Sequence, residues 1–230
     1  MDARREGRID MHRLNRNSVP APACITPHDA ARQYSTLRGP QKAEIRIALL
    51  TMQQNRCAYC ERRTGTGEND GHIEHFHRQS DCPARTTDWT NLFWSCNDPK
   101  FCGQHKDTCN VNGSTGKCRQ VNMDDVIKPC TDDPDHFMHF ISDGAIQPRA
   151  NLNPTEKHRY DETLRVFQLA EAALLVDSRR DAVKPNIDAL SDLMPSGAEA
   201  VRAYVVRQLP RIAHVPFETA IRHVLTSYAP

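Results

Sequence analysis

The stretch from Cys57 to Cys109, CAYCERRTGTGENDGHIEHFHRQSDCPARTTDWTNLFWSCNDPKFCGQHKDTC, decides how this chain is read. It opens on the pair Cys57-Ala-Tyr-Cys60 and comes back to cysteine at Cys96 and Cys102. Four thiolates can hold zinc tetrahedrally, and a closed site of that kind supplies folding energy that short strands and loops cannot supply alone. Five residues separate Cys96 from Cys102, a looser spacing than the first pair, and Cys109 is the alternative ligand. A redox pair at Cys57 and Cys60 is disfavoured because no βαβ pattern surrounds it. Cys24, Cys82, Cys118 and Cys130 are expected to be free thiols.

Between the cysteine pairs lies GHIEHFHRQS, with His72, Glu74, His75 and His77 close together. Imidazole and carboxylate at this density suit phosphodiester hydrolysis. A divalent ion stabilises the leaving oxygen and the pentavalent phosphate, while a neutral histidine takes a proton from water. Asn91 follows in DWTNLFWSC and His105 in CGQHKD. Arg62, Arg63, Arg78 and Lys106 stand near this core and are candidate phosphate contacts.

Outside this stretch the chain sets bounds rather than chemistry. Its 230 residues, 38% of them hydrophobic, allow one sizeable domain or two small ones. A formal net charge of +1 excludes a protein that coats nucleic acid through a global basic excess, so any phosphate-binding surface is local or supplied by a partner. The longest apolar runs, such as Ala172 to Val176, are too short for a membrane span, and the start MDARREGRID has no signal-peptide apolar region. The expected location is the cytoplasm. Nine cysteines in a reducing compartment favour metal binding over disulfides.

Around the core, residues 1–40 are expected to form an irregular arm with at most a short helix near Pro27 to Tyr34, either solvated or docking a partner. Ile45, Ala48, Leu49 and Met52 mark one face of a helix over Gln41 to Asn55. His136 to Ile146 alternates like a hairpin turning at Asp143-Gly144. Asn153 caps a helix running to Val176, with Pro154 in its first turn and Glu156 completing a capping box. Ser196 and Glu199 start another helix that ends at Pro210, and Phe217, Ile221, Val224, Leu225 and Tyr228 line a last one. Three parts are expected: the arm at 1–40, a core at 41–130, and a hairpin with helices at 131–230.

The order His, Asn, His threaded between cysteine pairs resembles the HNH endonucleases of the ββα-metal superfamily. CAYCE, IEHF, DWTNL and SCNDPKFCGQHKD together look like the PtuB-like HNH nucleases of Septu and retron antiphage systems. The preceding EIRIALLTMQ, the NLNPTEKHRYDETLRV segment and the closing PFETAIRHVL fit as well, so the resemblance extends from about Met11 onward.

That resemblance implies an α+β fold: a small zinc-stapled ββα-metal core embedded in N- and C-terminal helices, with a hairpin at Asp88 to Cys96 around Asn91 and a short helix near His105. It places Glu74 as a ligand of the catalytic ion, Mg2+ or Mn2+, and His75 as general base. Asn91 would hold the loop that carries the base and orient His75 by a hydrogen bond, and His105 would be the second ligand. In the commonest pattern the last histidine directly follows the final cysteine. Here Gly103 does, so Asn110 is the alternative to His105, and His72 and His77 are close enough to Glu74 to share the ion. The substrate implied is DNA or tRNA, and the partner is a PtuA-like ATPase subunit, with retron RNA or DNA as a further candidate. The alternative function is a non-catalytic zinc module for protein contacts.

Overall fold

Strand β1, His72–His75, pairs antiparallel with β2, Leu92–Ser95, so that His72 lies opposite Ser95 and His75 opposite Leu92. The computed structural model describes residues 13–25, 33–111 and 121–229, with side chains left out at 109–111. Its described residues form an α+β fold of seven helices and two small two-stranded sheets. The expected short helix near Pro27 falls mostly outside the described residues, as does Cys118.

Helix α1, Gly39–Gln53, begins with Pro40 in its first turn and ends where Gln54 and Asn55 turn left-handed. It buries Ile45, Leu49 and Met52, as the apolar spacing predicts, and Leu50 as well, while Ala48 is half-buried. Each fully buried Leu or Ile contributes about 2 kcal/mol. Gln53, also buried, clamps β2 through its carboxamide: Nε2 donates to the Trp94 carbonyl at 2.8 Å, and Oε1 accepts from the Trp94 N–H at 2.8 Å. The side chain thus acts as a third strand edge for β2, pairing the Trp94 N–H, while the Trp94 carbonyl also accepts from the Ala58 N–H at 3.0 Å.

The hairpin differs from the expected one. The segment from Asp88 to Cys96 is a single strand preceded by a 3-10 turn, Trp89–Asn91, and its partner is β1 on the far side of residues 76–91. Helix α2, Cys102–Val111, follows and carries His105 as expected. The described part of the N-terminal arm lies against this unit. Leu14 is buried, and Arg16 donates to the Leu92 carbonyl at 2.6 Å with its guanidinium over Phe93.

In the C-terminal half, α3, Pro134–Phe137, leads into strands β3, Met138–Phe140, and β4, Ile146–Pro148, paired with Phe140 opposite Ile146. His136 and Phe137 therefore close a helical turn rather than open a strand. The turn passes through Gly144, whose φ of 87° and close approach to the Val176 carbonyl exclude a side chain. Helix α4, Pro154–Phe167, has the Asn153 cap and Glu156 capping box. It stops at left-handed Gln168 instead of running to Val176, and α5, Ala173–Leu193, starts afresh and continues through Pro185. Arg179 explains the break: buried in α5, it donates to the carbonyls of Leu169 and Gly144, and this burial pushes its guanidinium down to about 10. Helix α6, Ala198–Gln208, is capped by Gly197 at positive φ, with Ser196 closing the preceding 3-10 turn. Helix α7, Glu218–Ser227, packs on α5 and β3.

Candidate functional site

Cys57, Cys60, Cys96 and Cys102 come together with their sulfurs within 4.8 Å of one another, all buried. The first pair sits in a tight loop closed by an antiparallel bridge between Arg56 and Arg63. Tyr59, inside that loop, stacks on Phe167 with ring centroids 4.0 Å apart, which anchors the loop to the end of α4. Cys96 follows β2, and Cys102 opens α2 at a positive φ of 58°. Burial works against any thiolate here, yet hydrogen bonds from Cys102, Cys60 and Cys96 hold the Cys57 thiol well below the usual thiol range. Burial pushes Cys60 and Cys102 up. Four buried sulfurs this close together fit a soft divalent ion. Cys24, Cys82 and Cys130 form no disulfide among the described residues.

Glu74 is almost fully buried and lies between two partners. Its Oε1 is 2.5 Å from Lys106 Nζ, and its Oε2 is 3.2 Å from His72 Nε2. Burial alone would raise its carboxyl, but Lys106 and His72 hold it below the ordinary value. Lys106 is buried as well and donates to the His75 carbonyl at 2.6 Å, stitching α2 to the end of β1. It is therefore an internal cation rather than a surface contact for phosphate. Arg78 bonds to the Lys106 carbonyl and faces Asp107, while Arg62 and Arg63 approach Asp98 and the His214 carbonyl.

His75 is buried, with Nε2 2.9 Å from the Thr86 carbonyl and Tyr34 edge-on at 4.8 Å. A carbonyl only accepts, so Nε2 carries the proton and Nδ1 the lone pair. Burial keeps the ring below the usual histidine value, and Glu74, Lys106 and His72 all act on its charge.

Asn91 holds the loop that leaves β1, but through the backbone of His77 rather than the ring of His75. Its Oδ1 accepts from the His77 N–H at 2.8 Å, and its Nδ2 donates to the carbonyls of His77 and Arg85. His77 itself faces Asp124 at 3.9 Å.

His105 is turned away from this group. Its Nδ1 donates to the Val166 carbonyl at 2.9 Å, which satisfies one of the open carbonyls in the last turn of α4. Geometry explains the direction. Gly103 and Lys106 face Glu74, and residue 105 lies roughly 200° round the helix from residue 103. Asn110 is in the last turn of α2, and its side chain lies outside what is described.

Two further polar residues complete the site. Lys106, expected from the sequence at a phosphate, is instead buried against Glu74. Asn97 carries a signal only in its position directly after Cys96: its Oδ1 is 2.9 Å from His72 Nδ1.

No helix among the described residues is long and apolar enough to cross a membrane. No family model matches the chain. The chain is similar to the Septu protein PtuB of Bacillus thuringiensis, 30% identical over 101 residues, which covers 44% of this chain. The matched region is 34% of that protein's length, so the likeness concerns about a third of it.

Proposed function

We propose that this chain is a metal-dependent HNH endonuclease that hydrolyses phosphodiester bonds of DNA or tRNA. It would serve as the effector of a Septu or retron antiphage system under the control of a PtuA-like ATPase subunit. The observation that carries the reading is the juxtaposition of Glu74 and His75 at the end of β1 with the first turn of α2, closed off by the four-cysteine cluster. A strand pair, a helix and a structural Zn2+ at Cys57, Cys60, Cys96 and Cys102 would make up the ββα-metal core.

The residues divide the work. His75 is the general base: its proton on Nε2 is tied to Thr86, which leaves the Nδ1 lone pair to take a proton from the attacking water. Its depressed pKa keeps it neutral near pH 7. Asn91 fixes the loop that follows the base. Glu74 is the acidic ligand of Mg2+ or Mn2+, with Lys106 compensating its buried charge on the other oxygen. The ion would supply charge stabilisation at the phosphate and the leaving oxygen. Such a site attacks phosphodiesters without reading bases. A chain of net charge +1 has no global basic excess with which to hold phosphates, which supports control by a partner that adds basic surface or holds substrate. The likeness to the Septu protein PtuB supports the antiphage role.

The test is cleavage of supercoiled plasmid and of total tRNA in Mg2+ and then Mn2+, by the chain alone and with a PtuA-like ATPase from the same source added. Cutting is expected from the wild type, with His75→Ala slower by about 10²–10⁴-fold at unchanged zinc content. The substrate cut decides between DNA and tRNA. Silence under every condition would instead make the chain a zinc-binding interaction module.

A further inference from the structure

The hydrogen bonds around His72 dictate which of its nitrogens can bind an ion. Asn97 donates through Nδ2 to the carbonyls of Asn69 at 2.9 Å and Gly71 at 3.2 Å, so the orientation of its amide is set. Its Oδ1 therefore faces His72 Nδ1 at 2.9 Å and can only accept. The proton of neutral His72 must sit on Nδ1, and the lone pair on Nε2. That lone pair points at Glu74 Oε2, 3.2 Å away. Two acceptors at this separation repel unless a cation lies between them: a second proton on the ring, which makes His72 and Glu74 an ion pair, or a metal ion in that proton's place.

The neighbouring backbone leaves room for one. A Cβ at position 103 would lie 2.6 Å from Glu74 Oε2 and 2.8 Å from His72 Nε2, so glycine alone keeps open a place within reach of both atoms. Ligands at right angles around an ion with bonds of ~2.1 Å stand about 3 Å apart, which matches the His72–Glu74 spacing. Glu74 offers Oε2 to this place while Oε1 is held by Lys106. The side chain of His72 is 23% exposed, so the site opens to solvent on that side. An imidazole whose second nitrogen is anchored by an amide oxygen is the usual arrangement of a metal-ligating histidine.

We propose that His72, not His105, is the second protein ligand of the divalent ion beside Glu74, that Asn97 positions it, and that Gly103 makes the space. The inference rests on the nuclease reading above. His72 lies two residues from Glu74 on the same face of β1. Most of the ion's remaining shell would be water, as suits Mg2+ or Mn2+.

The experiment is Mn2+ binding to the full chain loaded with one equivalent of zinc, followed by the loss of the free Mn2+ electron paramagnetic resonance signal. Wild type, His72→Ala, Asn97→Ala, Gly103→Ala, His105→Ala and Glu74→Gln are compared, with zinc content confirming that each variant is folded. Expected are losses of about tenfold or more for His72→Ala and Gly103→Ala, a smaller loss for Asn97→Ala, and a change within about twofold for His105→Ala. If His105→Ala weakens binding while His72→Ala does not, or if only Glu74→Gln does, the ligand assignment is overturned. Plasmid or tRNA cleavage by the wild type then keeps the nuclease reading. If the wild type neither binds Mn2+ nor cuts, the nuclease reading falls and takes this inference with it.

Discussion

The carboxamide of Asn91 grips the backbone of His77 by both groups, accepting from its N–H at 2.8 Å and donating to its carbonyl at 2.9 Å. A side chain that pairs with one residue in this way imitates a strand partner and fixes the chain two residues after His75. Asn91→Ala leaves the His77 N–H and the carbonyls of His77 and Arg85 without these bonds in a buried place, and is expected to cost about 1–3 kcal/mol. Asn91→Asp keeps the acceptor but sets an oxygen against two carbonyls, and should cost at least as much. Urea unfolding of the zinc-loaded variants measures both. Equal stability of Asn91→Ala and wild type would show that the clamp does not hold the loop.

Removal of metal is the second test. The four cysteines join the loop at Cys57, the end of β2 and the start of α2. Titration with a thiol-directed mercurial is expected to release one zinc per chain, and the cooperative unfolding transition should be lost with it. Cys60→Ser should lower zinc content in the purified protein in the same direction. A sharp, unchanged thermal transition after complete zinc release would contradict a structural metal.

Arg56 and Glu218 form a buried ion pair at 2.9 Å that joins the first cysteine loop to α7 across the fold. Arg56 also donates to the Val215 carbonyl and to Gln54, and Glu218 accepts from the His214 N–H. Glu218→Gln removes the charge that compensates a buried guanidinium and is expected to destabilise by about 3–5 kcal/mol. Replacing both partners with apolar residues of similar volume should restore much of that loss. A thermodynamic cycle over the two single variants and the double variant reads the coupling directly.

The start of α4 gives a pH signature. Glu156 accepts from the Asn153 N–H at 2.9 Å and meets His136 at 2.7 Å, and these hold its carboxyl below the ordinary 4.5. A carboxyl depressed in the folded state stabilises above its unfolded pKa and loses that contribution as pH falls through the folded value. The difference in urea midpoint between wild type and Glu156→Gln should therefore shrink between about pH 6 and about pH 3. A constant difference over that window would place the effect of Glu156 outside its ionisation.

Much of the site is legible in residue order because its parts lie close along the chain. The Cys57-x-x-Cys60 pair can meet a single ion whatever the rest of the fold does, and Glu74-His75 are neighbours. The Asn153 to Glu156 capping box is local chemistry and appears as expected. Where the expectation fails, a distant contact has intervened. Arg179 ends α4 by taking the carbonyl of Leu169, and Pro185 conceals α5 because a proline inside a helix usually argues against one.

The amino-acid sequence by itself determined three of the cysteines that could hold a metal, with Cys102 or Cys109 as the fourth, most of the buried face of α1 and the cluster of imidazole and carboxylate in one short strand. The tertiary structure decided which of those side chains face one another. The helical period of α2 is the same whichever face packs inward. Only its contacts with β1 and α4 turn Gly103 and Lys106 toward Glu74 and leave His105 to close the end of α4. Likewise, β1 could not be paired from the sequence, because its partner lies beyond residues 76–91, and the bonds that hold β2 and the chain after β1, from Gln53 and Asn91, reach residues distant along the chain. Short-range chemistry is written in spacing, whereas the direction of a side chain depends on which surfaces meet.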